Sequence, residues 1–405
     1  MIDFKKYKLG DLGEIRMCKR ILKEETNTKA GIPFYKISTF GNKADVFIDR
    51  EKFLEYKEKY SYPKKGDILI SAAGTIGRTV VFNGEESYFQ DSNIVWIEND
   101  ESKVLNEYLF YCYKNIKWYT STGSTILRLY NDNIRNSEII APDISTQKKI
   151  ADVLSCIDDK IALNNKANTE LENMAKTIYD YWFTQFDFPD KDGHPFKNSG
   201  GQMVYNETLK REIPAGWEVK RLGDVCEIVL GGTPSTDKDE YWNGNIPWLN
   251  SGDVAEFPII NAEKTVTELG IKDSATELVP AGTVTLSITR HLRPSILTMD
   301  ACINQSVVGI KENKFFSKYF LYPFISSKIN HYMMLRTGAQ QPHINKETVD
   351  ETLVCIPSAE ILEKYNNEVS SIYERIILNA KETKKLTMLR EYLLPLLMNG
   401  QIEVK

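Results

Sequence analysis

The stretch IDDKIALNNKA at residues 157–167 returns as IYERIILNAKE at 372–382, with Ile, Ile, Leu, Asn and Lys in the same places. Asn164 and Asn379 stand 215 residues apart in a chain of 405. A chain that writes one structural unit twice must fold twice in the same way, so a repeat limits the architecture before any local pattern is read. The spacing holds far beyond the helix. KLGDL at 8–12 answers RLGDV at 221–225, and IPF at 32–34 answers IPW at 246–248. YPKKGDILIS at 62–71 answers VPAGTVTLS at 279–287, and EYLFYCY at 107–113 answers KYFLYPF at 318–324. STGST at 121–125 answers RTGAQ at 336–340, and IIAPD at 139–143 answers VCIPS at 354–358. The offsets stay between 211 and 217 and the order is never broken, as loop insertions and deletions in a duplicated unit require.

Within each copy the pattern is β-rich. GDILISAAG, TVVF, SYFQDSNIVWIEN and CINQSVVGIKEN alternate or run apolar and β-branched, which predicts strands. NEYLFYCYKNIKWY and SKYFLYPFISSKINHYMM predict short helices packed on those strands. The many Tyr and Trp of these segments are expected in the core.

A different period follows each β-rich stretch. From Ile150, apolar or small residues recur at 150, 154, 157, 161, 171, 175, 178 and 182, the alternating four-and-three spacing of a coiled-coil seam. Asn164 and Asn168 fill the gap in that seam. The second copy reads Leu362, Tyr365, Val369, Ile372, Ile376, Asn379, Thr383, Leu386, Arg390 and Leu393. Asparagine in a seam costs stability but fixes register and orientation. About 40 helical residues span roughly 60 Å, too long for one small domain to cover, so two antiparallel helices are expected. Asp158 and Asp159 lie outside the seam and read as solvated surface. DFPDKDGHPFKNSGGQM, at 187–203, is rich in Pro, Gly and Asp and predicts a linker. The fold class is therefore α+β: two β-rich domains separated by two long antiparallel helices forming a coiled coil, with an internal pseudo-twofold repeat.

Chemistry is sparse. There is no G-x-x-x-x-G-K-[ST] loop, no G-x-G-x-x-G after a strand, no G-x-S-x-G elbow and no Asn-Pro-Pro-Tyr. GTIGR at 74–78 reads as a tight turn between strands. The six cysteines are scattered without C-x-x-C and read as reduced and mostly core. None of the four histidines forms H-x-x-x-H or is read beside a Cys or carboxylate cluster, so no metal site is expected. The charged N-terminus has no apolar signal-like core and no apolar run spans a bilayer, so a cytoplasmic protein with no membrane partner is expected. The chain does not read as an enzyme on its own. Two similar modules held apart by helices suit a bipartite target such as duplex DNA.

Several phrases, in order, carry a resemblance. GGTPSTDKDEYWNGNIPWLNSGDV (231–254) and TGAQQPHIN (337–345) stand in the second half, KKGDILISAAGTIGR (64–78) in the first, and QKKIADVLSCIDDKI (147–161) with IYDYWFTQF (178–186) between them. The chain resembles, over essentially its whole length, the DNA-specificity subunit of type I restriction–modification systems. The resemblance implies target-recognition domains at 1–143 and 216–357, spacer helices at 144–186 and 358–400, and a linker at 187–215. It implies a subunit without catalysis or cofactor of its own. Partners would be double-stranded DNA, two methylation subunits and restriction/translocase subunits, and the S-adenosylmethionine, ATP and magnesium would belong to those partners. The repeated helix, with Asn164 and Asn379, would then form spacer and docking surface, docking using aromatic residues such as Tyr179, Trp182 and Phe183. The first module lacks the GGTP…YW phrase.

Charge bears on how such a chain would hold DNA. The net charge is −5. Residues 1–143 carry 22 Lys and Arg against 21 Asp and Glu, and residues 216–357 carry 13 against 17, so neither module is basic. Affinity for DNA comes largely from phosphate neutralisation, so the isolated chain is expected to bind weakly, its partners supplying much of the clamp. Base readout needs Arg, Lys, Asn, Gln, Ser, Thr or similar groups at the groove, and loops supply them. The candidates are Thr75, Arg78, Ser124, Thr125 and Arg128 in the first module. In the second they are Thr233, Ser235, Tyr241, Arg290, His291, Arg293, Gln340, Gln341 and His343, with Gln340 and Gln341 suited to adenine edges. The competing reading is a coiled-coil adaptor with two protein-binding modules, which the acidic balance and aromatic content suit. A nuclease or methyltransferase is a third, and the missing motifs count against it.

Overall fold

The structure, a computed structural model, describes residues 3–118, 128–289, 291–338 and 342–404. It is a mixed helix-and-sheet protein that separates into two compact units, Met1–Ile161 with Leu386–Lys405, and Ala162–Lys385.

In the first unit the strands Gly13–Arg16, Ile94–Asn99, Ile68–Ser71 and Thr79–Val81 form one antiparallel sheet in that spatial order. Its apolar residues Ile68, Ile70, Val95 and Ile97 pack on the helix Asn106–Asn115 through Tyr108, Leu109 and Cys112. The opposite face of the same strands, Leu69 and Trp96, packs on Phe34, Tyr88 and Phe53. Alternation of period two divides the strand residues between these two cores. A second sheet sets Ile32–Tyr35 parallel to Tyr88–Phe89 and antiparallel to Val46–Ile48.

The second unit repeats the first sheet strand for strand and the three central strands of the second; the outer strand differs, Thr26–Asn27 on Val46–Ile48 in one unit and Leu278–Val279 on Ala301–Ile303 in the other. Ile228–Leu230, Val307–Ile310, Val284–Ser287 and Pro294–Ile296 form the first sheet in the same order. Trp242–Leu249 lies parallel to Ala301–Ile303 and antiparallel to Lys264–Val266 in the second. Small details recur too. Lys5–Lys8 pairs with Glu138–Ala141 as Glu218–Arg221 pairs with Leu353–Ile356. The Leu9 amide donates to the Ser137 carbonyl at 2.9 Å, and the Leu222 amide to that of Thr352 at 2.8 Å. Gly66 and Gly282, in the turn entering the equivalent strands, both hold a left-handed backbone with φ of 96° and 92°, which favours glycine. The repeat legible in the sequence is thus a repeat of topology.

The long helices are Ile144–Tyr179 and Ala359–Met398. Within the second unit their seams meet with sequence numbers falling on one as they rise on the other. Asn164 Nδ2 donates to Glu382 Oε2 at 2.8 Å, Asn168 Nδ2 to the Ile376 carbonyl at 3.2 Å, and Asn379 Nδ2 to Asn168 Oδ1 at 2.9 Å. All three asparagines are buried. Each amide finds a partner across the seam, which makes burial of polar side chains tolerable.

Asp158 is not the solvated residue its position suggested. Within the first unit it accepts from Arg390 Nη1 at 2.6 Å, from the Tyr111 hydroxyl at 3.1 Å and from Lys114 Nζ at 3.2 Å. Burial pushes its carboxyl up, but Arg390 and Lys114 outweigh burial and hold it below the usual carboxylate range.

The connecting stretch is itself packed. Phe188 stacks on Phe196 and Trp217, Asp187 accepts from Asn198, and Met203–Asn206 pairs with Arg211–Pro214 as a hairpin. Cys18, Cys112, Cys226 and Cys302 are buried, whereas Cys156 is exposed. Among the described residues no helix is long and apolar enough to cross a membrane.

Candidate nucleic-acid interface

The two sheets of equivalent strand order place their loops alike. In the first unit the strand Ile68–Ser71 ends in the turn that GTIGR predicted, and the chain returns as Thr79–Val81. Ser71 pins that turn. Its hydroxyl donates to the Thr75 carbonyl and accepts from the Arg78 amide, while its carbonyl accepts from the Gly77 amide. Gly77 has φ of 78°, and a Cβ there would lie 2.4 Å from the Trp118 ring, so only glycine fits. Thr75 and Arg78 are exposed on this turn. Arg78 Nη1 donates to the Phe40 carbonyl at 2.9 Å. Arg128 pairs with Ala73 in a β-bridge, and its Nη2 donates to Ser92 Oγ at 2.9 Å and to the Ser92 carbonyl at 3.2 Å. The structure therefore brings Thr75, Arg78 and Arg128 to one end of one sheet.

The same end of the second unit carries Ile288, Thr289 and residues 291–293, between Val284–Ser287 and Pro294–Ile296, with His291 and Arg293 exposed. His343 bridges Thr289 and Thr337 beside them. Thr233 follows the strand Ile228–Leu230 and donates to Gln305 at the same sheet end. The GGTP phrase has a steric reason: a Cβ on Gly231 would sit 2.1 Å from the Ile303 carbonyl oxygen, and one on Gly232 would sit 2.5 Å from the Ala275 carbonyl carbon. Trp248 Nε1 then donates to the Gly232 carbonyl at 3.1 Å and Trp242 Nε1 to that of Ser235 at 3.0 Å, which leaves the Ser235 side chain exposed on a braced loop.

Electrostatics favour an anion at this sheet end. Arg78 and Arg128 donate to neutral oxygens, and among the described residues neither they nor Arg293 form an ion pair, unlike Arg16, Arg50 and Arg390. Their charge is not cancelled from within. This is the local basic character that the module totals conceal.

Some expectations need correction. Tyr241 is 3% exposed, its hydroxyl accepting from Lys238 Nζ at 2.6 Å and donating to Asp273 at 3.1 Å, so it braces the loop and does not face a groove. Tyr179, Trp182 and Phe183 are 5%, 8% and 9% exposed and pack on Phe320 and Tyr365. They belong to the core of the second unit and offer no docking surface. Ser124, Thr125, Arg290, Gln340 and Gln341 lie outside the described residues. His194, expected apart from any carboxylate cluster, sits beside acids: Asp190, Asp192 and His194 form one cluster, in which Asp190 Oδ1 already accepts from the Asp192 and His194 amides.

Duplicated β-rich units, each with cationic and polar loops at one sheet end, define a two-module recognition protein rather than a single active site. The profile of the type I restriction modification DNA specificity domain matches residues 1–173 and 214–388, and the chain belongs to that family. The HindI specificity subunit of Haemophilus influenzae is 25% identical over 99% of this chain and 100% of its own length. The MjaIX specificity subunit of Methanocaldococcus jannaschii is 28% identical over 92% of this chain and 87% of its own. A closer but shorter match, 62% identical over 146 residues, is to the type I specificity subunit S.HindORF215P of Haemophilus influenzae, and spans 36% of this chain and 38% of that relative. The crystal structure of the type-I restriction-modification system S subunit from M. genitalium shares the fold, with a TM-score of 0.62 at 15% identity over 98% of this chain and 96% of that one.

Proposed function

We propose that each unit reads one half of a bipartite duplex DNA site. The chain serves a type I restriction–modification complex as its sequence-specificity subunit and performs no chemistry itself. The two long helices act as an antiparallel coiled coil, with residues 144–186 and 358–400 as spacers that set the unspecific gap. The proposed recognition domains are 1–143 and 216–357, joined by 187–215. Two methylation subunits dock on exposed faces of the repeated helices, where Leu163, Leu378 and Met388 are exposed. Restriction/translocase subunits complete the assembly, and S-adenosylmethionine, ATP and magnesium act on those partners. The observation that carries this reading is the repeated sheet order with cationic loops at the same end of each copy. Duplex DNA offers two half-sites to such a protein, and the arginines without an internal counter-charge meet its phosphates.

The test is expression with the cognate methylation subunit in a host without other adenine methylation, followed by mapping of methylated adenines. A split motif of fixed gap, seen only when this chain is present, supports the reading. A stable complex that adds no methylation favours the adaptor reading instead.

A further inference from the structure

The duplication extends to one crossing of backbone that no local sequence identity marks. In the first unit the Ala72 amide donates to the Asn93 carbonyl at 2.7 Å and the Leu129 amide to the Ala72 carbonyl at 2.8 Å. Ala73 then bridges Arg128. In the second unit the Ile288 amide donates to the Ser306 carbonyl at 2.9 Å and the Ile344 amide to the Ile288 carbonyl at 3.1 Å. Thr289 then bridges His343. Ala73 lies two residues beyond Ser71, and Thr289 two beyond Ser287, where the equivalent strands end. Arg128 and His343 therefore leave the same backbone site, one in each unit.

We infer that Arg128 and His343 are equivalent specificity-determining residues, each reading one base pair at the same distance from the methylated adenine of its own half-site. The inference rests on the function proposed above and adds which position of each unit does the reading. Matching strand order and matching bridges give the two side chains the same starting point over the groove. The side chains differ, so the base is set separately at each position. Ser92, itself in a left-handed backbone with φ of 53°, takes two bonds from Arg128 Nη2 and so fixes the guanidinium. The remaining Nη1 and Nε N–H groups are donors only, and so suit guanine, whose O6 and N7 both accept, over adenine, whose N6 donates. An imidazole N–H, at His343, pairs with a purine N7. The base read by Arg128 is a guanine and that read by His343 a purine.

The experiment uses the full chain with its methylation subunit and maps methylated adenines for wild type, Arg128→Gln and His343→Ala. Arg128→Gln should move preference from guanine to adenine at one position of one half-site, by roughly tenfold or more. The other half-site and the gap should stay as they were. His343→Ala should relax one purine position of the other half-site, equally far from its methylated adenine. Arg128→Lys and His343→Asn run in parallel, and co-purification with the methylation subunit reports folding. Methylation that weakens evenly over an unchanged motif overturns the inference, since a phosphate contact or a loop brace behaves so. Relaxed positions at unequal distances overturn it as well. A wild-type chain that directs no split motif instead removes the proposed function beneath it.

Discussion

Replacing Asn379 by alanine should loosen the helix pair far more than its size implies. In the second unit Asn379 Nδ2 is the donor to Asn168 Oδ1 at 2.9 Å, and the two residues are 3% and 9% exposed. Asn379→Ala leaves the Asn168 oxygen buried without that donor, at a cost of about 1–3 kcal/mol. Asn168→Ala orphans the Asn379 amide at a similar cost. The double replacement Asn168→Leu with Asn379→Leu removes both polar groups and refills the seam, so it should fall within about 1 kcal/mol of wild type. The Ile376 carbonyl loses its bond from Asn168 only where Asn168 is replaced, and there keeps its own helical amide. Hydrogen exchange of the amides at 372–383 reads local opening directly. Each single variant should lower protection roughly ten- to hundredfold, and the double variant should largely restore it. Single effects that simply add in the double variant would refute mutual satisfaction of the two asparagines.

Asp158 should make the protein acid-sensitive. Its carboxyl is held below the usual range in the folded chain, so its stabilisation is present above the unfolded value of about 3.9 and is lost as pH falls through the folded one. Below about pH 4 the thermal midpoint of wild type should therefore drop more steeply than that of Asp158→Asn, and Arg390→Ala at neutral pH should cost about 1–2 kcal/mol in unfolding. Gly77→Ala should cost about 1–3 kcal/mol through its backbone alone, displace Trp118, and impair the half-site of the first unit, read as degeneracy of one half of the methylated motif. Tyr241→Phe should cost about 1 kcal/mol of stability and leave the methylated motif unchanged, because its buried hydroxyl is taken up by Lys238 and Asp273. The isolated chain, without basic modules, should show a shallow dependence of log affinity on log salt, with a slope shallower than about −5 in a binding titration.

The sequence repeat carried most of the fold because the two copies keep period-two strands, seam spacing and turn glycines where geometry demands them. Gly66 and Gly282 mark the same left-handed turn, and both long helices were legible from their seams. What escaped was set by tertiary contact. Asp158 looks like any helix-surface acid until Arg390, 232 residues away, comes to meet it. Tyr179, Trp182 and Phe183 read as a docking patch because nothing local shows that Phe320 and Tyr365 cover them. Tyr241 sits in a loop rich in polar residues, and only the fold brings Asp273 to its hydroxyl. The correspondence of Arg128 with His343 was present in the spacing of the copies. Unlike residue types concealed it until the bridges to Ala73 and Thr289 were placed.

The central claim, one unit for one half-site, is tested most directly by exchange. Residues 13–128 would be replaced by the corresponding segment of a family relative, and methylated adenines mapped with the same methylation subunit. The expected motif keeps the wild-type half read by the second unit and the wild-type gap, with only the other half changed. A motif altered in both halves, or one left unchanged by a well-folded chimera, would contradict the account.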